Sequence, residues 1–589
     1  MKRPPQERRP GAPLADWILP LAIALLSILA FAPVLQGDFV AWDDDRNFVT
    51  NFDYRGLGLT QLRWMWTTFH LGHYIPLSWM SLGLDYTIWG MDARGYHLTN
   101  LLLHAFVAVM VYLLARRLIA AAVELRADEA ETPWIPVAAA IGALLFAVHP
   151  LRAESVAWIT ERRDVLSGSF ALLSPYCYLR GAAGGRRAAR WYWGAVALFL
   201  CGILSKGTVV TLPALILVLN VYPLRRIGWA TGWLRPENLR IYAGLIPFGV
   251  IALFAAAISL VALPDQPQLP IAGKLAVSLY SLAFYTWKTV LPTDLAPLYS
   301  LPHVVDPLEM RFVSSGAVVL LITGAALALR RRWPALLTAW IAFVLALFPM
   351  LGFHQNGPQI VADRYTYHAT PVLAILAAAT LALLFRTRFR QLALGTSLAV
   401  LGALFALTWK QSRIWVSSEA LWAQVIRVDS RGWIGENNWG NILMGNGEIV
   451  DAERHFRLAI ARNPDYAEAF NNLGVALVRQ GRAVEAVEPF TRALAARASY
   501  DEAEVNLGGA FSQLGEHERA IERYRRALQI NARNTAAMIN WANALLRLAR
   551  PLEAIPLYES ALGIEPGNTL ARTNLGVAHA MVAALSAKP

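Results

Sequence analysis

Residues 472–494 read NLGVALVRQGRAVEAVEPFTRAL, and residues 506–528 read NLGGAFSQLGEHERAIERYRRAL. The second stretch is the first displaced by 34 positions. Gly440, Gly474, Gly508, Ala542 and Gly576 continue that spacing in both directions. Twelve residues after the first four come Ala452, Ala486, Ala520 and Ala554; sixteen after come Phe456, Phe490, Tyr524 and Tyr558; nineteen after come Ala459, Ala493, Ala527 and Ala561. A fixed period of this size means stacked helical hairpins, each burying its apolar face on the next. The small residues let the two helices of a hairpin touch, and the aromatic fills the gap beside them. Four full repeats are expected over about 433–568, with a final helix at 569–585 and a half-repeat at 415–428. Pro464 and Pro566 end the second helix in two repeats, where Ala498 and Ala532 stand in the others.

The period is that of tetratricopeptide repeats, and a second column runs inside it: Asn438, Asn472, Asn506, Asn540 and Asn574. First helices line the concave side of such solenoids. An amide donates and accepts at once, so the column is expected to hold an extended polypeptide. The competing reading is that Asn-Leu-Gly is simply frequent in these repeats.

Upstream of the array the composition changes. The 589 residues are 56% hydrophobic and 16% charged, against roughly 25% charged in an ordinary soluble domain. That excludes a disordered chain and a wholly soluble one. The net charge of +12 divides unevenly: residues 1–409 hold 33 basic and 22 acidic residues, residues 410–589 hold 20 and 19. The excess lies in the apolar part, where it reports topology, so nucleic acid is not an expected partner. The predicted fold is all-α, a polytopic membrane domain over 1–409 followed by an extracytoplasmic repeat domain over 410–589.

A span needs about 20 mostly apolar residues. Eleven are expected, near 15–36, 96–115, 135–149, 165–180, 191–204, 208–224, 241–263, 312–329, 334–353, 368–385 and 391–409. With the N-terminus (Lys2, Arg3, Arg8, Arg9) cytoplasmic, alternate loops carry Arg116/Arg117, Arg186/Arg187/Arg190, Arg225/Arg226, Arg330–Arg332 and Arg386/Arg388/Arg390. Residues 271–291 are read as an interfacial or re-entrant helix, because a further span would put Arg330–Arg332 on the wrong face. The other loops and the array then share the outer side, the periplasm of a bacterium or the endoplasmic reticulum lumen of a eukaryote. Cys177 and Cys201 both lie in apolar segments and imply no disulfide framework.

The outer loops carry the chemistry. Residues 37–53 read GDFVAWDDDRNFVTNFD, with Asp43, Asp44 and Asp45 just past the membrane exit. Adjacent carboxylates persist if solvated, paired, or used for proton or metal work. The same loop carries His73 and Tyr74, then His97 and Asn100 entering the next span, with His104 a turn beyond. Residues 146–166, FAVHPLRAESVAWITERRDVL, hold His149, Glu154 and Arg163; Lys206 stands alone between two spans; Arg364 and Tyr365 lie in FHQNGPQIVADRYTYH, residues 353–368. Each of these later outer loops offers a cation at the height where a lipid-linked phosphate sits; the bland reading is interfacial snorkelling.

These loops resemble the transmembrane and tetratricopeptide-repeat O-mannosyltransferase family. The likeness rests on GDFVAWDDDRNFVTN, HYIPLSWMSLGLD and YHLTNLLLHAF, on HPLRAESVAWITERRDVL and SKGTVVTLP, and on LPTDLAPLYSLP and IVADRYTYHAT. It departs in the third Asp and an extra residue before the pair, in Ser-Lys-Gly for Lys-Glu, and in a shorter array. The Ala-, Leu- and Arg-rich composition suggests a bacterial relative.

The resemblance implies a GT-C-like glycosyltransferase that moves a mannose-like hexose from a polyprenyl-phosphate carrier to a polypeptide hydroxyl. On that reading Asp43 or Asp44 is the base, within a catalytic group of Asp43, Asp44, Asp45 and Glu154. Arg364, Lys206, Arg163 and His149 take the donor phosphate, and Tyr74, His73, His97, Asn100 and Tyr365 shape the pocket. Whether Asp43–Asp45 also hold a divalent metal is left open by the residues; no His/Cys spacing points to zinc. Two other readings compete: a lipid-linked glycan transporter, which would favour ionisable residues at mid-membrane, and a non-catalytic membrane scaffold.

Overall fold

The structure, a computed structural model, describes residues 13–122, 134–228, 231–262, 269–302, 304–353 and 357–586. The basic run Lys2–Arg9 and residues 354–356 lie outside the described residues. The chain divides into two units between Gln424 and Val425.

The first unit is built from helices α1 (Pro13–Ala30), α2 (Leu59–Thr67), α3 (Pro76–Trp89), α4 (Ala93–Ala122), α5 (Trp134–Ala147), α6 (Ala153–Ala157), α7 (Arg162–Ala182), α8 (Ala188–Ser205), α9 (Leu212–Val221), α10 (Pro236–Ala243), α11 (Ile246–Ala262), α12 (Ile271–Val290), α13 (Met310–Leu329), α14 (Pro334–Leu347), α15 (Thr370–Leu384) and α16 (Arg390–Ser412). One short antiparallel pair, β1 (Tyr299–Ser300) with β2 (Gln359–Val361), ties two loops together.

Each segment expected to span is helical over most of its described residues. Five helices are long and apolar enough to cross a bilayer: Ala93–Ala122, Ala188–Ser205, Pro236–Ala262, Met310–Ala328 and Arg390–Trp415. This is the signature of a membrane protein. A sixth candidate, α5 with the helical segment Pro150–Ala157, is bent by 54°, and four further apolar helices are shorter. Helix length by itself therefore supports five or six crossings. The bend has a local cause. Pro150 has no N–H to donate, so α5 stops at Ala147, and His149 Nδ1 accepts from Leu151 N at 3.2 Å to open the next turn.

The second unit is the array. Its hairpins are α18 (Trp433–Gly445) with α19 (Ile449–Arg462), α20 (Ala467–Arg479) with α21 (Ala483–Ala496), α22 (Asp501–Gln513) with α23 (His517–Ile530), and α24 (Thr535–Arg547) with α25 (Pro551–Ile564), closed by α26 (Thr569–Ser586). The preceding helix, α17 (Ser418–Val428), crosses the boundary. Its first turns belong to the membrane unit: Trp422 packs on Trp42 at 4.9 Å, and Trp415, in the short turn before the helix, stacks on Trp158 at 5.7 Å. The division thus falls at 424/425, not at 409/410.

The 34-residue spacing is steric in origin. A Cβ on Gly440, Gly474 or Gly508 would lie 2.6, 2.6 or 2.5 Å from the aromatic ring sixteen residues later. Gly508→Leu is therefore expected to destabilise the array by about 1–3 kcal/mol through overpacking against Tyr524. Gly509→Leu, next to it with nothing within 4 Å, is the control. A lowered thermal midpoint in the first variant alone is the expected result, read by far-UV circular dichroism of the purified chain.

Candidate active site

The site is assembled around a carboxylate that the sequence reading passed over. Glu161 sits in the turn Ile159–Glu161, just before α7, with its side chain fully buried. Three cations converge on it: Arg163 Nη2 at 2.7 Å, Lys206 Nζ at 2.7 Å and Arg364 Nε at 3.3 Å. Burial alone would raise its pKa, but Arg163 and Lys206, and then Arg364, carry it well below the usual carboxylate value. Glu161 is thus the anion that lets three like charges share one place. Lys206 also bonds Asp164 Oδ1 at 2.7 Å. Arg364 pairs with buried Glu154, which additionally accepts the Arg364 backbone N–H at 2.7 Å. The Arg364 guanidinium lies 5.4 Å over Trp158 and 5.0 Å over Tyr365. The three expected donor-phosphate cations are together, from the first turn of α7, the break after α8 and the loop before α15.

The two aspartates are not equivalent. Asp44 is buried and saturated: Val40 N donates to Oδ2 at 3.0 Å, while Thr160 N and Thr160 Oγ1 donate to Oδ1 at 3.1 and 2.7 Å. Burial pushes it up to about 7 in spite of these bonds. Asp43 is half-buried, and its carboxylate has no hydrogen bond or ion pair among the described residues. Burial pushes it up to about 6, while Arg163, Arg364 and Arg46 pull the other way. Asp43 is therefore the carboxylate free to take a proton near neutral pH, and Asp44 fixes its loop. Asp45 is exposed.

His73 joins the cluster from the other side of the first loop. Burial, then Arg163 and Lys206, lower it to about 3, so it stays neutral. Tyr74 donates to Trp66 O at 3.2 Å, and Tyr365 OH accepts from Gln359 Nε2 at 2.6 Å. Two of the remaining expected residues, His149 and Asn100, are internal ties. His149 has both ring nitrogens occupied, by Leu151 N and Thr289 O, leaving neither for a phosphate. Asn100 donates to Val156 O at 3.1 Å and accepts from Arg162 Nε, whereas His97 is buried beside the Gly37 backbone with neither ring nitrogen hydrogen-bonded among the described residues. Arg162 itself is paired with Asp85 at 2.6 Å. His104, the intramembrane residue that would favour a transporter, is held by Tyr367 OH and Ala147 O, each at 2.9 Å.

No group of three or more His, Cys, Asp or Glu side chains placed to hold a metal occurs among the described residues, and the three adjacent aspartates form none. An apolar cavity of about 190 Å³ opens two residues past Lys206, at Thr208, and none of the three cations lines it. Thr208 and His368 line it, followed by Leu172, Leu215 and Ile375, down to Ala122 and Tyr222. Along α4 it runs from Val107 to Ala122, about 22 Å of helix. Among the described residues the Thr208 hydroxyl has no partner.

In the array, Asn472 donates to Asn437 at 3.0 Å, Asn506 to Asn471 at 2.9 Å and Asn574 to Asn543 at 2.8 Å. Asn438 accepts weakly, at 3.5 Å, from Asn437. Asn540 has no side-chain partner among the described residues, because Val505 stands where the earlier repeats have Asn437 and Asn471. Part of the ladder therefore serves the array itself.

Two tetratricopeptide repeat family models match the chain, over residues 437–502 and 505–535. Over 225 residues, 36% of the chain, it is 32% identical to protein O-mannosyl-transferase tmtc2 of Xenopus laevis, covering 25% of that protein. Over 528 residues, 80% of the chain, it is 26% identical to protein O-mannosyl-transferase TMTC1 of Homo sapiens, covering 58% of that protein. The chain's relatives are protein O-mannosyl-transferases. It spans between 25% and 58% of the length of these two. Among solved structures it is similar to the crystal structure of MamA, at 24% identity and a TM-score of 0.24, over 25% of this chain and 87% of that one.

Proposed function

We propose that the chain is an integral-membrane glycosyltransferase that moves a mannose-like hexose from a polyprenyl-phosphate carrier to a polypeptide hydroxyl. The observation that carries this reading is the convergence of Arg163, Lys206 and Arg364 with Asp43 left open next to them, and an apolar cavity that starts at Thr208, two residues past Lys206. The cavity suits a lipid tail and the cations suit its phosphate. The names of the relatives support the sugar and the reaction type.

In the proposed step Asp43 accepts the proton of the acceptor hydroxyl as that oxygen bonds to the anomeric carbon. The bond from that carbon to the phosphate oxygen breaks, and its electron pair leaves with the lipid phosphate, which Arg364, Lys206 and Arg163 neutralise. A single displacement inverts the anomeric configuration. His73, held neutral, and Tyr74 border the space for the sugar. Glu154 and Glu161 keep the cations in place in the absence of donor. In the proposed topology eleven spans place the N-terminus in the cytoplasm and put these loops and the array on the far side. There the amides of Asn438, Asn472, Asn506, Asn540 and Asn574 receive the acceptor polypeptide.

The test is transfer of label from a polyprenyl-phosphate mannose into protein by membranes containing the chain. Because Asp43 works deprotonated and its pKa is pushed up to about 6, transfer should climb about tenfold per pH unit below 6 and level off above it. A profile flat from pH 5 to 7.5 would rule Asp43 out as the base. Absence of transfer by the wild type would overturn the glycosyltransferase reading.

A further inference from the structure

Among the described residues the Asp43 carboxylate has no side-chain partner, so its position is set by its backbone. Residues 38–44 are held on one flank by Asp44, through Val40 N and Thr160. The other flank is held by residues nearly four hundred positions away. Ser418 Oγ accepts from Ala41 N at 2.8 Å, and Trp422 Nε1 donates to Ala41 O at 3.2 Å. Both polar groups of one residue, two before Asp43, are thus gripped by side chains one turn apart on α17. Asp38 N donates to Val416 O at 3.1 Å, and the Trp422 ring packs edge-on against Trp42 at 4.9 Å. Ala41 is exposed. Water would satisfy its peptide groups equally well, so these bonds fix geometry and do not merely rescue buried polar atoms.

We propose that Ser418 and Trp422 are positioning residues for the transfer reaction, holding the Ala41–Trp42 backbone so that the Asp43 carboxylate faces the space beside Arg163 and Arg364. The inference rests on Asp43 being the base. The placement of a base within its near-attack geometry is steep in distance, and an error near 1 Å costs on the order of 100-fold. Neither residue touches the cation cluster, so donor binding is independent of them.

The experiment compares wild type, Asp43→Asn, Ser418→Ala with Trp422→Phe, and Ser418→Thr, each as the full chain in membranes. The readout is initial transfer of labelled mannose from polyprenyl-phosphate mannose at several donor concentrations and pH values. The double variant keeps the ring contact and removes both bonds to Ala41. Its kcat is expected to fall about 10- to 100-fold, with the donor KM unchanged and the break near pH 6 displaced. Ser418→Thr, which keeps the hydroxyl, should retain wild-type rates. An inactive Asp43→Asn beside a double variant with wild-type kcat and pH profile overturns the positioning role alone. A loss seen only in donor KM overturns it as well, and so does a Ser418→Thr variant as slow as the double variant. Full transfer by Asp43→Asn overturns the assignment of the base whatever the other variants do.

Discussion

Asp43→Asn is expected to abolish most of the transfer while leaving the protein folded and able to bind its donor. The carboxylate makes no bond that the substitution would break, and Asn has nearly the same shape. What is lost is the proton acceptor, a contribution of about 10²–10⁴-fold. Asp44→Asn should behave differently. Its oxygens accept from Val40 N, Thr160 N and Thr160 Oγ1, so an amide N–H turned toward any of them loses a buried bond and loosens the loop. The pair separates two roles. For Asp43→Asn, kcat falls with an unchanged thermal midpoint and donor KM; for Asp44→Asn, the midpoint falls with activity. If the two variants exchange these signatures, Asp44 is the base.

Glu161→Gln carries the second large effect, and here the expected first symptom is instability. Removing one partner of a buried ion pair typically costs about 3–5 kcal/mol, because the other charge stays buried and unpaired. Glu161 serves three cations at once. Neutralising it leaves Arg163 without its carboxylate and leaves Lys206 with only Asp164, so the variant should have a markedly lower thermal midpoint. The same change creates an excess of positive charge where the donor phosphate is proposed to sit. Polyprenyl phosphate should therefore raise the midpoint of the variant by more than it raises that of the wild type. Equal protection of both, or none, would place the phosphate elsewhere.

The array was readable from the sequence almost residue by residue because its order is local and repeated. A glycine that must admit an aromatic ring leaves the same mark every 34 positions. The site was readable only in its charges. Arg163, Lys206 and Arg364 stood out as cations in apolar surroundings. Glu161 did not, since an acid beside two arginines in Glu161-Arg162-Arg163-Asp164 looks like a solvated cluster. Four consecutive charges against a membrane segment were the available signal. Adjacent Asp43 and Asp44 were indistinguishable by sequence, because what separates them is Thr160, which meets Asp44 from 116 residues away. His149 and Asn100 were polar at the right height, yet each is used up by backbone or by Arg162. Helix identity was legible; the number of crossings was not, because several apolar helices are cut short by Pro150, Pro334 or the break at Lys206 and Gly207.

The column of asparagines has a consequence for direction. Asn472 and Asn506 each donate toward the residue that precedes the ladder in the repeat before, and Asn574 also points back. These three amides share one orientation along the solenoid. A strand lying against them would meet the same polarity at each step, and the same strand reversed would meet donors where it had met acceptors. If the acceptor polypeptide lies against this column as proposed, the array would tell the N-to-C sense of a guest chain without reading its side chains.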